Sequence, residues 1–288
     1  MSDNKMKFDP IKYKQTTLQQ WDSAAEAWHR WGPLLSDWLG VPTETMLEMA
    51  GIEEGSRVLD VAAGAGDQTI SVAKRVGPSG HVLATDLSPA ILEFAAQRAR
   101  AAGLKNVETT TLDGESLNEL EAESFDAVIS RVGMIYFPDQ QRALAGMRHV
   151  LKEGGKVAAM VYSTAEKNAF FSVPVSIIRR RAKLPPPLPG QPGPFSLGGD
   201  RVLEEAFVRA GFRDVGTTVL DAPVQVKSAA ECLQFEKESF GALHQMLSGL
   251  VDEEKEQAWQ EIEEALSEFQ GEDGFRGPCE LVIAVGTK

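Results

Sequence analysis

Cysteine is nearly missing from this sequence: Cys232 and Cys279 are the only two among 288 residues. Two thiols exclude a cysteine-built zinc site and a disulfide framework, and no metal site is expected. Positive charge is scarce as well. The chain has 29 Lys and Arg against 42 Asp and Glu, a formal net charge of −13. Nucleic acids and anionic membranes both need a positive field, so neither is an expected partner. No apolar run is long enough to span a bilayer, which argues against membrane insertion. The opening "MSDNKMKFDPIKYK" has none of the apolar stretch of a signal peptide, so a cytoplasmic location is expected. No internal repeat is visible.

What is present is an ordinary core composition, 43% apolar, arranged in alternating segments from Val58 onward. "RVLDV" reads as a buried strand and "QTISVAKRV" as a helix with Ile70, Ala73 and Val76 on one face. "HVLATDLS" is a second strand ending at Asp86. "PAILEFAAQRARAAG" is a helix with Pro89 in its first turn and Gly103 at its end. "NVETTTLD", "FDAVISRV" and "GGKVAAMVYS" supply three more strands, and the helix before the last of them is expected to stop at its glycines. Such alternation implies a doubly wound α/β fold, a mostly parallel sheet with helices on both faces.

The flanks break this rhythm. Residues 1–50 read as helical, with four of the five tryptophans within 21–38. The core is expected over 51–227, interrupted by a proline-rich connector at 183–199 that cannot be regular helix. "DVGTTVLDAPVQV" reads as one strand, residues 228–275 as an acidic helical insertion, and 276–288 as a last strand pairing antiparallel with it.

The turn "DVAAGAGD" between the first strand and helix strips away every bulky side chain. It allows close backbone approach to a ligand and presents amide groups at a helix start, where an anion is welcome. A dinucleotide turn needs a third small residue, and Thr69 stands there instead. "VLDVAAGAGD" resembles the first motif of class I S-adenosylmethionine-dependent methyltransferases, with Ala62 in place of the motif's first glycine. Further resemblances follow in family order: Asp86 ending the second strand, "LDGESL", "FDAVISRVGMIYFPD" and "HVLKEGGKVAAMVYS". Together they span about residues 50–165 and are nearest to the small-molecule branch containing the ubiquinone and menaquinone C-methyltransferases.

The resemblance implies a seven-stranded Rossmann-like methyltransferase sheet and S-adenosylmethionine as cofactor, leaving S-adenosylhomocysteine as product. It also implies a small-molecule acceptor, with oxygen or carbon the preferred nucleophile. Arsenite is disfavoured because thiolate clusters are absent. A nicotinamide-dependent oxidoreductase and a non-catalytic cofactor-binding protein are the alternatives.

Asp86 would accept both ribose hydroxyls, from a solvated strand end where its removal should hardly affect folding. Leu87 would cover the adenine, and Asp113 would accept from its amino group beside the Gly114 amide. Ala62, Gly64 and Gly66 would border the methionine portion. Asp60, with the carbonyls of Ser130 and Arg131, would favour its ammonium. Trp28 would roof the sulfonium, an aromatic face toward a cation, as part of a helical lid over 1–50. Residues 228–275 would be a substrate cap. Candidates for proton transfer are Tyr136, His29 and His244.

Overall fold

The computed structural model describes residues 8–188 and 190–288. Two helices come first, α1 (Pro10–Arg30) and α2 (Gly32–Met49). The Asp9 carboxylate accepts from the amides of Ile11 and Lys12, and Pro10 supplies a first residue that needs no hydrogen-bond acceptor. The alternation then runs β1 (Arg57–Val61), α3 (Asp67–Val76), β2 (His81–Asp86), α4 (Pro89–Ala101) and β3 (Val107–Thr111). It continues with β4 (Phe125–Arg131), α5 (Gln140–Val150), β5 (Leu151–Tyr162), α6 (Ala169–Arg181), α7 (Val202–Arg209) and β6 (Arg213–Asp221).

These strands and the last one, β10 (Glu280–Thr287), form a seven-stranded sheet in the order β3-β2-β1-β4-β5-β10-β6. β1 to β5 pair in parallel, and β10 runs antiparallel to both β5 and β6. Helices on both faces explain why Val58, Leu59 and Val61 have no exposed surface and β1 reads as an unbroken apolar run. The strand order reverses between β1 and β4. Ligands of such sheets sit at that switch point, beyond the carboxyl ends of the strands.

The insertion between β6 and β10 holds three helices, α8 (Ala229–Ser239), α9 (Gly241–Leu247) and α10 (Asp252–Leu266). It also holds a feature absent from the sequence reading. β7 (Val224–Val226), β8 (Gln270–Gly271) and β9 (Gly274–Gly277) make a second sheet in the order β7-β9-β8. "DVGTTVLDAPVQV" is therefore two strands. Pro223, which has no N–H for a ladder, separates them. The helix expected to stop at "GG" ends at Val150. Gly154 and Gly155 lie inside β5, where the register against β4 slips between Phe125 and Ala127. A side chain on Gly155 would meet the Asp126 carbonyl at 3.0 Å, so these glycines serve the bulge.

The described part of the 183–199 connector has neither helix nor strand. It packs on the core through Leu197, and a Cβ on Gly198 would overlap the Ser163 carbonyl. No helix among the described residues is long and apolar enough to cross a membrane.

Tryptophans tie the flanking helices to the insertion. The Trp28 indole donates to the Ser239 carbonyl (2.9 Å), Trp31 to Glu238 (2.7 Å) and Trp38 to the Ala222 carbonyl (2.7 Å). Beneath them on α8, Glu236 is fully buried. Among the described residues only the Cys232 thiol, 3.8 Å from Oε1, approaches it as a donor, and Oε2 has no partner.

Burial raises the Glu236 carboxyl well above the usual range. The folded chain thus holds a proton there that the unfolded chain releases above the ordinary glutamate value. That difference lowers stability as pH rises. Glu236→Gln should therefore raise the melting temperature at about pH 7.5 and leave it unchanged near pH 4, where both states are protonated. The gain is bounded by about 1.4 kcal/mol per pH unit above the ordinary value. Thermal scans at the two pH values check this, and a variant that melts lower than the parent at about pH 7.5 contradicts it.

Candidate functional site

A cavity lies over the carboxyl ends of β1, β2 and β4, closed from above by α1 and α2. Its floor is the small-residue turn after β1. Ala62 (φ +59°) and Gly64 (φ +58°) both take left-handed backbone conformations and line it. For Ala62 this is a strained geometry of a kind that gathers at functional sites. The Gly64 amide donates to Asp86 Oδ2 at 2.9 Å, and the Ser88 amide to Oδ1 at 3.0 Å. One carboxylate thus ties the turn to the end of β2. Each of its oxygens accepts at least one backbone amide.

Asp86 is buried, 9% exposed, and not at a solvated strand end as the sequence reading held. Desolvation raises its carboxyl above the ordinary value, against the pull of the Ser88, Gly64 and Leu87 amides. Its removal would free two backbone donors, so it also matters to folding.

Leu87, Asp113 and Gly114 line the same end of the cavity. A Cβ on Gly114 would lie 2.5 Å from the Phe137 ring, which fixes glycine there. Asp113 is already engaged. Lys14 of α1 donates to Asp113 Oδ2 and to Glu115 Oε2, each at 2.6 Å. The α1 helix also brings Asp22, which accepts from the Ser88 hydroxyl, and puts Trp21 and Trp28 in the lining. Trp21 meets Tyr136 edge-on, with centroids 5.3 Å apart.

At the other end, over β4 and β5, the walls are Arg131, Tyr162, Leu35, Trp38, Leu39 and Phe240. Arg131 Nη1 donates to Asp67 Oδ2 (2.9 Å) and to the Thr43 hydroxyl (3.1 Å). Val132 beside it has φ +61°, strained for a β-branched residue.

Several sequence-predicted residues stand elsewhere. Asp60 is fully buried below the turn and outside the lining. Its carboxylate accepts from the Thr69 hydroxyl (2.6 Å) and the Gln68 amide (3.1 Å), and desolvation pushes it up to about 6. It secures α3 to β1 from outside the cavity lining. Gly66 is also outside the lining. It is small because a Cβ there would sit 2.6 Å from that of Ala95, where α4 crosses. The buried Ser130 hydroxyl has no partner among the described residues and does not line the cavity.

Neither histidine candidate reaches it. His29 stacks on Phe94 at 4.6 Å, and His244 Nε2 lies 2.6 Å from the Lys237 carbonyl on the outer side of α1. Tyr136 does line the cavity, but burial raises its phenol above the ordinary value, so it stays protonated and is no ready base.

Sequence reasoning missed Lys14, Asp67, Trp38 and Tyr162. Asp67 closes the quoted turn motif and was the only one with a local signal.

Residues 41–177 match the ubiE/COQ5 methyltransferase family. Aklanonic acid methyltransferase of Streptomyces sp. (strain C5) is 30% identical over 146 residues, 51% of this chain and 64% of its own. The ubiquinone/menaquinone biosynthesis C-methyltransferase of Bordetella parapertussis is 38% identical over 118 residues, 41% of this chain and 45% of its own. The chain spans about half the length of most curated relatives it matches.

Phosphoethanolamine N-methyltransferase 2 of Haemonchus contortus, solved with S-adenosylhomocysteine, has a TM-score of 0.60 at 17% identity, covering 96% of this chain and 60% of that one. The [4+2]-cyclase SpnF gives 0.56 at 18% identity and covers 96% of both chains. These likenesses show the Rossmann-like methyltransferase fold, which the cyclase shows can carry other chemistry. The sequence match bears out the family resemblance over the core.

The two turn glycines should respond differently to alanine. Gly66→Ala forces a Cβ into α4 at a left-handed position and should cost about 1–3 kcal/mol. Gly64→Ala meets only Ile91, at 3.9 Å, and should cost about 1–2 kcal/mol from its backbone conformation alone. Urea unfolding of both variants checks the order, and a larger loss at Gly64 contradicts it.

Proposed function

We propose that this chain, with its ubiE/COQ5-type core at 41–177, transfers a methyl group from S-adenosylmethionine to a small organic acceptor. The observation that carries the reading is the carboxylate of Asp86, tied to the glycine turn at the switch point and part of the cavity lining.

The lining suits the cofactor at the β2–β3 end. Asp86 would accept from the ribose diol. Leu87 would cover the adenine, and Asp113 with the Gly114 amide would meet its polar edge. The Gly64 backbone would border the amino-acid end. Bound there, S-adenosylmethionine supplies a methyl group already activated by its sulfonium.

The chain's own work is alignment and exclusion of water. Trp38, Tyr162 and Phe240 line the β4–β5 end of the cavity, with Trp21 and Trp28 in the lining from α1, and together they would hold an acceptor in line with the methyl carbon, the main source of acceleration in such a transfer. As the bond to the acceptor forms, the carbon–sulfur bond breaks and sulfur keeps the electron pair. No histidine lines the described cavity, and Tyr136 is held as a phenol. The acceptor must therefore bring its own nucleophile, an ionised oxygen or an electron-rich carbon.

α1 is the lid of this site. Lys14, Trp21 and Trp28 all reach the cavity from one helix, and the Lys14 pairing with Asp113 has to loosen as adenine takes its place.

Calorimetry tests the reading. S-adenosylhomocysteine should bind and NAD should not. Asp86→Ala should weaken binding at least about tenfold, or roughly 1.4 kcal/mol, and Asp86→Asn should fall between. The alanine variant should also melt lower without ligand, because the Gly64 and Ser88 amides lose their acceptor. Unchanged affinity in Asp86→Ala, or binding of NAD in place of the sulfur compound, overturns the reading.

A further inference from the structure

Lys14 and Arg131 are the two cationic side chains in the described cavity lining. Lys14 is bound to two carboxylates, Asp113 and Glu115. Arg131 differs. Among the described residues all its side-chain hydrogen bonds leave from Nη1, to Asp67 and Thr43. Nε and Nη2 have none, and neither is sealed off by protein. Two parallel N–H groups therefore remain on the Nε–Nη2 edge of a side chain that is only 7% exposed.

These donors open to the cavity, where an acceptor oxygen of a ligand can take the place of water on a guanidinium otherwise enclosed by protein. The Nε–Nη2 edge is a flat two-pronged face whose spacing matches an oxyanion. Around it stand Tyr162, Trp38, Leu35, Leu39 and Phe240, which suit a flat apolar body, and the charge beside it in the lining, Asp67, is already taken by Nη1. The other cation is held at the far end, over Asp113.

We infer that Arg131 is the specificity-determining residue for the acceptor, and that the acceptor is a flat conjugated molecule carrying an anionic oxygen, a carboxylate or an ionised hydroxyl, seated on the Nε–Nη2 edge. This rests on the methyl-transfer reading and supplies what that reading lacks. A site without a ready base selects an acceptor that ionises by itself, and the guanidinium holds that charge at the β4–β5 end. Asp67 fixes the guanidinium through Nη1, so the recognition edge is oriented before the acceptor arrives.

The test is calorimetry at about pH 8, with and without S-adenosylhomocysteine. The probes are 2-naphthoate against neutral 2-naphthamide for the carboxylate, and 2,4-dinitrophenolate against 2,4-dinitroanisole for the hydroxyl. In the parent, at least one anion should bind about tenfold or more tightly than its neutral partner, and the pair that does so identifies the oxygen type. Arg131→Gln should abolish the preference. Arg131→Lys, which keeps the charge beside Asp67 but not the flat edge, should restore part of it. Affinity for S-adenosylhomocysteine should fall less than affinity for the anion in either variant.

Equal binding of both charged and neutral pairs to the parent overturns the inference, as does a preference that survives in Arg131→Gln. So does a loss of S-adenosylhomocysteine affinity matching that of the anion, since the guanidinium would then serve the cofactor. Failure of S-adenosylhomocysteine to bind, with the charge preference intact, instead overturns the methyl-transfer reading and leaves the anion site standing.

Discussion

One carboxylate, that of Asp67, gathers the elements from which the cavity is made. It stands in the first turn of α3, directly after the small-residue turn, where a negative charge is favoured. Oδ1 accepts from the Ser36 hydroxyl of α2 at 2.6 Å and from Arg98 of α4 at 3.1 Å, and Oδ2 accepts from Arg131 of β4 at 2.9 Å. Burial opposes its charge, yet Arg131, Ser36 and Arg98 outweigh that opposition and hold it below the ordinary value. A buried ion pair of this kind is weak evidence for net stability. Its consequence here is geometric: roof, floor and far wall share one anchor.

Two ends follow from that anchor. Toward β2 and β3 the lining is acidic and bound to backbone amides, which suits hydroxyl and amine donors. Toward β4 and β5 it is aromatic, with a single guanidinium facing in. The short turn between them carries the strained Ala62, and Gly133 opposite comes so close that a Cβ there would lie 2.4 Å from that of Ala62. The carboxyl ends of β1 and β4 thus lie nearly in contact.

The parts of this arrangement legible in the sequence are those whose physics is local. Buried parallel strands announce themselves as apolar runs, and the turn before α3 as a run of alanine and glycine. Asp86 stood out because an acidic residue ending the second strand matches the family's second motif, a short-range pattern. Its burial was not legible, because that depends on α1, which brings Asp22 to Ser88 from 66 residues away.

Lys14 meets Asp113 across 99 positions, and nothing near Lys14 in sequence marks it. The histidines misled for the converse reason. A His suggests proton transfer by its chemistry alone, whereas its direction is set by packing, and His29 is turned onto Phe94. Asp60 and Gly66 sit in the right motif but serve the fold beneath it. Gly64 and Asp67, two residues and one residue from Gly66, do line the cavity.

The central claim is that one cavity holds a sulfur cofactor at its acidic end and an acceptor at its aromatic end. A crystal structure of the chain with S-adenosylhomocysteine tests it most directly. The account predicts the ribose hydroxyls on Asp86, the adenine between Leu87 and Asp113 with Lys14 displaced, and the sulfur turned toward Arg131 and Tyr162. A ligand bound outside this cavity, or one whose sulfur faces away from the β4–β5 end, would contradict it.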